Sequence, residues 1–246
     1  MYPVLFRISG FDVTSFGAMV AVGALVGLWV FQREVRQSGL PASAVDAAVA
    51  GVVGGMVGAK LLWSLEHRGE APALDLLLSR GGMSWFGGFA GGIAAGLFVT
   101  VWRRLPMQAV LAAATPGLAM GQAIGRVGCF LVGDDYGRPT QLPWGVAFPQ
   151  GLPPTFVRVH PTQLYEAAAL VPLAWVLIRL RRRGRSDRYV VGAYLTLAGS
   201  IRFLIEFIRV DVRVVGNLSV AHLASLAAVV LGIAMLLGAR RPRSRT

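Results

Sequence analysis

The chain has little of what most metal sites and disulfide frameworks require. Its single cysteine, Cys129, excludes an intrachain disulfide and any cysteine-cluster metal site. Its three histidines are scattered without metal-ligand spacing, and the HExxH pattern of zinc enzymes is absent. The phosphate-loop pattern GxxxxGK(S/T) is absent as well. We therefore expect this protein to use no metal and no cofactor.

Charged residues are also scarce, at 15% of the chain against 55% hydrophobic residues, and the mean hydropathy is +0.61. This composition places the chain in the membrane class, in which a spanning helix needs about 20 mostly apolar residues. Seven segments qualify, at about 14–32, 43–65, 84–102, 108–132, 161–178, 189–208 and 218–238. We predict an all-α membrane protein, a polytopic bundle of about seven transmembrane helices that forms a single domain over residues 1–246.

The charge that is present is basic, with 24 Lys and Arg against 12 Asp and Glu. Many arginines lie in alternate connections and in the tail, namely Arg33, Arg36, Arg103, Arg104, Arg179, Arg181, Arg182, Arg183, Arg185, Arg188, Arg240, Arg241, Arg243 and Arg245. The positive-inside rule then predicts an external amino terminus and a cytoplasmic carboxyl terminus. This placement favours contact with membrane lipids over nucleic acid, although a basic tail that binds nucleic acid is the competing interpretation.

Two segments outside the spans have distinct compositions. Residues 1–13 lack the long apolar core and the small-residue cleavage site of a signal peptide. We expect them to form a short external segment against the membrane surface. Residues 133–160 are rich in Pro and Gly, which predicts an ordered external loop.

Ionised side chains within predicted spans give the clearest functional signal, because charge at membrane depth is costly. Arg202 and Glu206 are four residues apart and share a helix face, on which Arg209 also lies. Arg126 interrupts another apolar segment. The predicted topology brings further polar or glycine-rich material to the same outer level: Lys60, residues 81–88, Asp134, Asp135, Tyr136, Arg138, His160, Gln163 and Glu166. Agreement among five spans predicts one site near the outer leaflet.

The chemistry of this set is that of an anion site. The guanidinium forks of Arg126 and Arg202, helped by Lys60 or Arg138, can surround a phosphate with paired hydrogen bonds. Two glycines, Gly125 and Gly128, allow the backbone and a ligand to approach closely. In a membrane protein the expected anion is a phospholipid headgroup. Structural interpretations stay open for single residues: a helix-locking Arg202–Glu206 pair, an interfacial Lys60, a packing Cys129 and a helix-capping His160.

Several ordered motifs resemble those of the prolipoprotein diacylglyceryl transferases. The stretch GRVGCFLVGDDYG (125–137) is similar to the family signature GRxGNFxNxExxG, and HPTQLYE (160–166) is similar to HPSQLYE. GSIRFLIEFIR (199–209) resembles GxxRFxxEFxR, GGMSWFGG (81–88) resembles GGMSFHGG, and GAKL (58–61) resembles GxRL. The similarity covers nearly the whole chain, with the motifs in the same order.

The resemblance implies a multi-pass protein of the bacterial inner membrane. Such a protein transfers a diacylglyceryl group from phosphatidylglycerol to the thiol of the lipobox cysteine in a prolipoprotein signal peptide. It implies that Arg126 holds the lipid phosphate, while Arg202 stabilises the leaving phosphate. Glu206 would orient Arg202 or Arg209, and Asp134, in place of the signature Glu, would position the acceptor or a water. Substrate-binding roles are implied for Gly125, Gly128, Gly137, Arg138, His160, Arg209 and Lys60.

The chain departs from the family pattern at several polar positions. Phe86 stands in place of the family histidine, so His160 or Asp134 becomes the expected base. The other departures are Cys129 and Val132 in place of Asn, and Phe16 and Ala198 in place of Tyr. A divergent, non-catalytic paralogue that binds lipid or precursor is the alternative interpretation. A small transporter is a third, less favoured because transporter sites lie near the midplane between broken helices.

Overall fold

The computed structural model describes residues 4–8, 11–79, 82–210, 214, 216 and 218–239. Within these residues the chain forms eight helices: α1 (Ser15–Gln37), α2 (Ala44–Glu66), α3 (Ala73–Leu78), α4 (Trp85–Trp102), α5 (Met107–Val132), α6 (Thr162–Arg182), α7 (Asp187–Glu206) and α8 (Val220–Leu237). Each of the seven predicted spans corresponds to one of the long helices. The short α3 was not predicted.

Two small antiparallel hairpins complete the described structure. β1 (Val4–Ile8) pairs with β2 (Phe11–Thr14), and β3 (Val146–Phe148) pairs with β4 (Thr155–Val159). The first hairpin lies in the predicted external segment, of which residues 1–3, 9 and 10 are outside the described residues. The second orders part of the predicted loop at 133–160. The arginine tail, residues 240–246, is outside the described residues, and so is Gly81 of the GGMSWFGG motif.

Six of the helices are long and apolar enough to cross a membrane: α1, α2, α4, α6, α7 and α8. The protein is therefore an all-α, polytopic membrane protein. The remaining long helix, α5, has 26 residues but carries Gln108, Gln122 and Arg126. Several of its residues are buried, including Val110, Ala113 and Ala119, and a helix enclosed by protein needs less apolar surface than one facing lipid. The predicted sidedness of the termini stays a prediction.

Local sequence accounts for several helix boundaries. Ser186 caps the start of α7 by accepting a hydrogen bond from the backbone N–H of Tyr189. Ser219 caps α8 in a reciprocal box with His222. Pro161 directly precedes α6, where a residue without an N–H is tolerated. The starts of α6 and α8 lie next to predicted site residues, whereas the start of α7 is at the opposite end of that helix from Arg202 and Glu206.

The chain divides into two compact units. The first unit contains the residues up to Val30 and those from Thr115 onward, and the second unit runs from Phe31 to Ala114. In the second unit α2 and α4 pack closely through glycines, so that a Cβ built on Gly91 would lie 2.9 Å from the Cα of Gly58. In the first unit a Cβ on Gly199 would lie 3.0 Å from the carbonyl oxygen of Ser225, which brings α7 against α8. The single-domain assignment over 1–246 stays a prediction.

Candidate active site

Six charged side chains of the first unit alternate in sign around a closed ring. Its members, in order, are Arg126, Glu166, Arg202, Glu206, Arg209 and Asp135. They come from α5, α6 and α7, from the residues just after α7 and from the loop that follows α5. We call this set the arginine–carboxylate ring.

One half of the ring is centred on Arg126. Its Nε lies 3.0 Å from Oε2 of Glu166, and its Nη1 donates to Oδ2 of Asp135 at 2.8 Å. The same Glu166 oxygen lies 3.8 Å from Nη1 of Arg202. A buried carboxylate of α6 thus joins the cations of α5 and α7.

The other half is centred on Glu206. Its Oε2 lies 2.8 Å from Nη2 of Arg202 and 3.6 Å from Nε of Arg209. Arg209 Nη2 in turn donates to Oδ1 of Asp135 at 2.6 Å, which closes the ring. Each guanidinium therefore contacts two different carboxylates.

Burial is uneven around the ring. The side chains of Glu206 and Glu166 are 0% and 2% exposed, whereas that of Asp135 is 38% exposed. Isolated charges at such burial would be strongly unfavourable, but three cations and three anions balance here. The ring therefore keeps charged groups inside the protein at no net charge, and Asp135 marks its open side.

Two of the carboxylates are held by further hydrogen bonds. Gln122 Nε2 donates to Oε1 of Glu166 at 2.8 Å, and Ser219 Oγ donates to Oε1 of Glu206 at 2.5 Å. Ser219 is itself bonded to His222 in the cap of α8. Neighbouring helices thus fix the direction of both glutamates, which in turn fix the arginines.

The loop after α5 is bonded to the ends of α6 and α7. The Asp135 carbonyl accepts from Thr162 Oγ1 at 2.8 Å, and Asp135 itself has a φ of +59°. Arg138 N donates to the carbonyl of Ile208 at 2.9 Å, and Gly137 N donates to that of His160 at 2.9 Å. A Cβ on Gly137 would lie 2.8 Å from Thr162, so this crossing has no room for a side chain. The backbone therefore sets where Asp135 points.

Asp134 and Asp135 have opposite electrostatic environments. Burial, and then the neighbouring negative Asp135, raise the pKa of Asp134 above its ordinary value of 3.8. Burial alone would also raise the pKa of Asp135, but Arg209 and Arg126 together hold it below the ordinary value. Asp134 faces the Cys129 thiol instead of a guanidinium. Ligand atoms of Cys129, Asp134 and Asp135 lie within 4.8 Å of one another, but both oxygens of Asp135 are engaged by arginines.

The structure brings together four of the predicted site residues: Arg126, Arg202, Glu206 and Arg209. Asp134 lies beside them, and its carbonyl accepts from the amide of Gln163. Arg138 and His160 border the site through backbone bonds, and His160 Nδ1 lies 3.3 Å from the hydroxyl of Tyr165.

The predicted glycines differ in their surroundings. Beyond its two chain neighbours and its own helix backbone, a Cβ built on Gly125 would meet no atom of the described residues within 4 Å, so the space directly beside this glycine is open. A Cβ on Gly128 would lie 2.9 Å from the Cβ of Met19, which indicates close packing against α1. Only Gly125 therefore has room beside it for a ligand.

Lys60 belongs to the second unit, where its amine donates to the carbonyl and the hydroxyl of Ser79 at 2.7 Å each. The amine also lies 4.6 Å from the ring centre of Trp63. Phe86 is 61% exposed and makes an edge contact with Trp85 in the same unit. The role of Lys60 in binding phosphate, and the meeting of five spans at one site, stay predictions.

Two members of the ring, Asp135 and Glu166, are placed by the sequence near the predicted site but have no predicted catalytic or binding role. Glu166 ends the HPTQLYE motif and belongs to the polar residues predicted at the outer end of the fifth span. Asp135 adjoins Asp134, which occupies the position of the signature glutamate. The direction of the Asp135 side chain depends on a left-handed backbone conformation. An aspartate can adopt this conformation, but its presence in the sequence does not predict it.

Comparison with known proteins gives a consistent result over almost the full length. A family model described as prolipoprotein diacylglyceryl transferase matches residues 3–238. The chain is 31% identical over 240 residues to the phosphatidylglycerol–prolipoprotein diacylglyceryl transferase of Clostridium tetani, covering 95% of this chain and 96% of that protein. It is 34% identical over 280 residues to the protein of the same name from Cereibacter sphaeroides, covering 94% and 95%. The Geobacter sulfurreducens protein of that name is 31% identical over 245 residues, covering 95% and 93%.

Proposed function

The chain belongs to the prolipoprotein diacylglyceryl transferase family, and we propose that its arginine–carboxylate ring catalyses the family reaction. The protein is a multi-pass protein of the bacterial cell membrane and a transferase. Its substrates are phosphatidylglycerol and a prolipoprotein, whose acceptor is the thiol of the lipobox cysteine in the signal peptide. The observation that supports this assignment best is that Arg126 of α5 meets Arg202 and Arg209, from α7 and the residues after it, in one partly exposed ring.

The reaction forms one bond and breaks one bond at the lipid glycerol. The acceptor sulfur attacks the diacylglyceryl carbon that carries the phosphate, and the bond between that carbon and the phosphate oxygen breaks. The electron pair leaves with glycerol phosphate, which gains a second negative charge, and the thiol proton passes to a base. The protein therefore has to stabilise negative charge that develops on a phosphate.

The ring has the chemistry for that task. Arg126 and Arg202 lie on different helices and share the buried carboxylate of Glu166. Fixed cations in a site with little water stabilise developing charge strongly, since they need no reorientation during the reaction. We assign Arg126 to holding the lipid phosphate and Arg202 to the leaving phosphate oxygen. Glu206 and Glu166 are positioning residues that fix the direction of the guanidinium groups.

We assign the base to Asp134, with His160 as the other candidate. Phe86 has no titratable group and cannot take the proton. A raised pKa makes the Asp134 carboxylate a stronger base than an ordinary aspartate once it is ionised. General-base assistance of this kind is typically worth about 10²–10⁴-fold in rate.

The deciding experiment incubates the purified protein with phosphatidylglycerol and a synthetic lipobox peptide. We expect the peptide cysteine to gain the mass of a diacylglyceryl group and glycerol phosphate to appear in equal amount. A peptide in which serine replaces the cysteine is the matched control and should stay unmodified. Lipid binding without either product, across the whole working pH range, would support the non-catalytic paralogue that Phe86 suggests. Complementation of cells depleted of their own transferase provides a second readout.

A further inference from the structure

Asp135 makes the contacts that a lipid phosphate would need. Its two carboxylate oxygens reach different guanidinium groups, with Oδ2 at 2.8 Å from Arg126 and Oδ1 at 2.6 Å from Arg209. A phosphodiester also presents two anionic oxygens on one centre, and guanidinium groups bind both kinds of anion through charge-assisted hydrogen bonds. An aspartate side chain and a phosphate can therefore satisfy the same pair of arginines.

Asp135 is also the carboxylate of the ring that can move most easily. Its side chain is 38% exposed, whereas those of Glu166 and Glu206 are almost fully buried. Gln122 and Ser219 hold the two glutamates in place. The backbone of Asp135 is held separately, through its carbonyl. Rotation about its Cα–Cβ bond would therefore release the arginines without disturbing the loop.

We propose that the Asp135 carboxylate is an internal competitor of the donor lipid phosphate, an inference that rests on the proposed function. The two anions exchange on Arg126 and Arg209 in each catalytic cycle. The exchange replaces one monoanion by another, so the buried ring stays neutral while the phosphodiester is bound.

The same competition assists product release. After the carbon–oxygen bond breaks, glycerol phosphate carries one more negative charge than the lipid phosphate and would bind the arginines more tightly. The returning Asp135 carboxylate competes for both guanidinium groups and so favours dissociation of the product. Asp135 thus weakens lipid binding and speeds turnover. A residue that only supports the fold would instead strengthen lipid binding.

The test compares the wild type with Asp135→Asn and Asp135→Gly. Both variants remove the charge, and both residue types tolerate the positive φ at this position. The affinity for short-chain phosphatidylglycerol in a zwitterionic detergent is measured by calorimetry, and KM, kcat and inhibition by glycerol phosphate are measured with the lipobox peptide. The matched control is Asp187→Asn, which removes a carboxylate paired with Arg181 at the other end of α7.

We expect both Asp135 variants to bind the lipid at least about fivefold more tightly, the lower end of the range for coupled sites. KM and kcat should both fall, and inhibition by glycerol phosphate should strengthen, while Asp187→Asn behaves as the wild type. Unchanged or weaker lipid binding in both Asp135 variants overturns the inference, even if the wild type is an active transferase. Tighter lipid binding by the Asp135 variants, with no thioether product from either the wild type or any variant, upholds the competition and contradicts the proposed function.

Discussion

Glu206 Oε2 lies 2.8 Å from Nη2 of Arg202, one helical turn earlier on α7, and the Glu206 side chain is fully buried. A buried carboxylate in this position attracts one terminal nitrogen of the guanidinium and so restricts where that group can lie. The i,i+4 spacing alone allows such a pair on any helix surface, where it would contribute little. Here the pair belongs to a ring of six charges, so its geometry is tied to α5, α6 and the loop after α5.

The guanidinium of Arg202 should be indispensable for turnover. We expect Arg202→Ala to lower the rate of thioether formation by at least about 10²–10³-fold, as loss of a fixed charge-stabilising donor does in other enzymes. Arg202→Lys should be damaged as well, because an ammonium cannot copy a planar fork that contacts two carboxylates. Mass spectrometry of the lipobox peptide measures the rate.

The control for this experiment is Arg103→Lys, at a half-exposed pair with Asp46 in the second unit. It keeps the charge, and we expect the wild-type rate. If both Arg202 variants turned over at near wild-type rates, the assignment of this residue to the leaving phosphate would be wrong. Arg126→Ala tests the phosphate-holding role in the same assay, and we expect it also to abolish turnover while the protein still inserts into the membrane.

Glu166 should matter for stability as much as for catalysis. Glu166→Gln keeps the size of the side chain but removes the buried anion between Arg126 and Arg202, leaving two partly buried cations with too little compensation. Breaking a buried ion pair in this way costs on the order of 3–5 kcal/mol. Thermal unfolding in detergent, followed by tryptophan fluorescence, should show a clear loss of stability.

The comparison for Glu166→Gln is Asp46→Asn, which removes a carboxylate from the half-exposed pair with Arg103. A pair of that kind is worth at most about 1 kcal/mol. Equal shifts in the unfolding temperature of the two variants would show that the buried carboxylate does not hold the ring together.

The helices could be predicted because their cause is local. Runs of about 20 apolar residues specify a spanning helix whatever surrounds them, and the predicted segment 43–65 became α2 (Ala44–Glu66) within a residue at each end. The pairing of Arg202 with Glu206 followed from helical spacing in the same way. By contrast, the pairing of Arg126 with Glu166 joins residues far apart in the chain, so it depends on how α5 packs against α6. No local pattern encodes that contact.

The sequence also does not predict which of two adjacent aspartates, Asp134 or Asp135, contacts the arginines. The signature alignment places Asp134, not Asp135, at the position of the family glutamate. The left-handed backbone at Asp135 directs its side chain to Arg126 and Arg209, while Asp134 faces Cys129. The φ angle of Asp135 decides which carboxylate meets the guanidinium groups, and only the folded loop fixes that angle.

The acidic limb of the pH–rate profile should report Asp134. A base acts only when ionised, and burial followed by the charge of Asp135 raises the pKa of this carboxyl. The value of kcat/KM should therefore fall as the pH drops through that raised pKa, at a higher pH than an ordinary aspartate would give. Asp134→Asn should remove this limb and lower the plateau rate by at least about 10²-fold. A limb that persists in Asp134→Asn and disappears in His160→Gln would transfer the role of base to His160.

Two serine caps separate a structural effect from a catalytic one. Ser219→Ala removes the cap of α8 and also the hydrogen bond to Glu206. Ser186→Ala removes a cap of the same kind from α7, far along the helix from the ring. Ser186→Ala should lower the free energy of unfolding by about 0.5–2 kcal/mol, the usual worth of a serine N-cap. Ser219→Ala should lower it further, because it also removes a hydrogen bond to a buried carboxylate.

Only the α8 cap should affect the chemistry. Loss of the Ser219 hydroxyl leaves Glu206 held less firmly, and through Glu206 it loosens Arg202, the guanidinium nearest to that carboxylate at 2.8 Å. We expect Ser219→Ala to lower kcat with little change in KM, because the ground-state contacts to the lipid are kept while the fixed charge needed later is not. Ser219→Thr, which keeps the hydroxyl, should recover most of the rate. Equal kinetic effects in Ser219→Ala and Ser186→Ala would mean that Ser219 serves only the helix end, and that Glu206 is directed by its arginines alone.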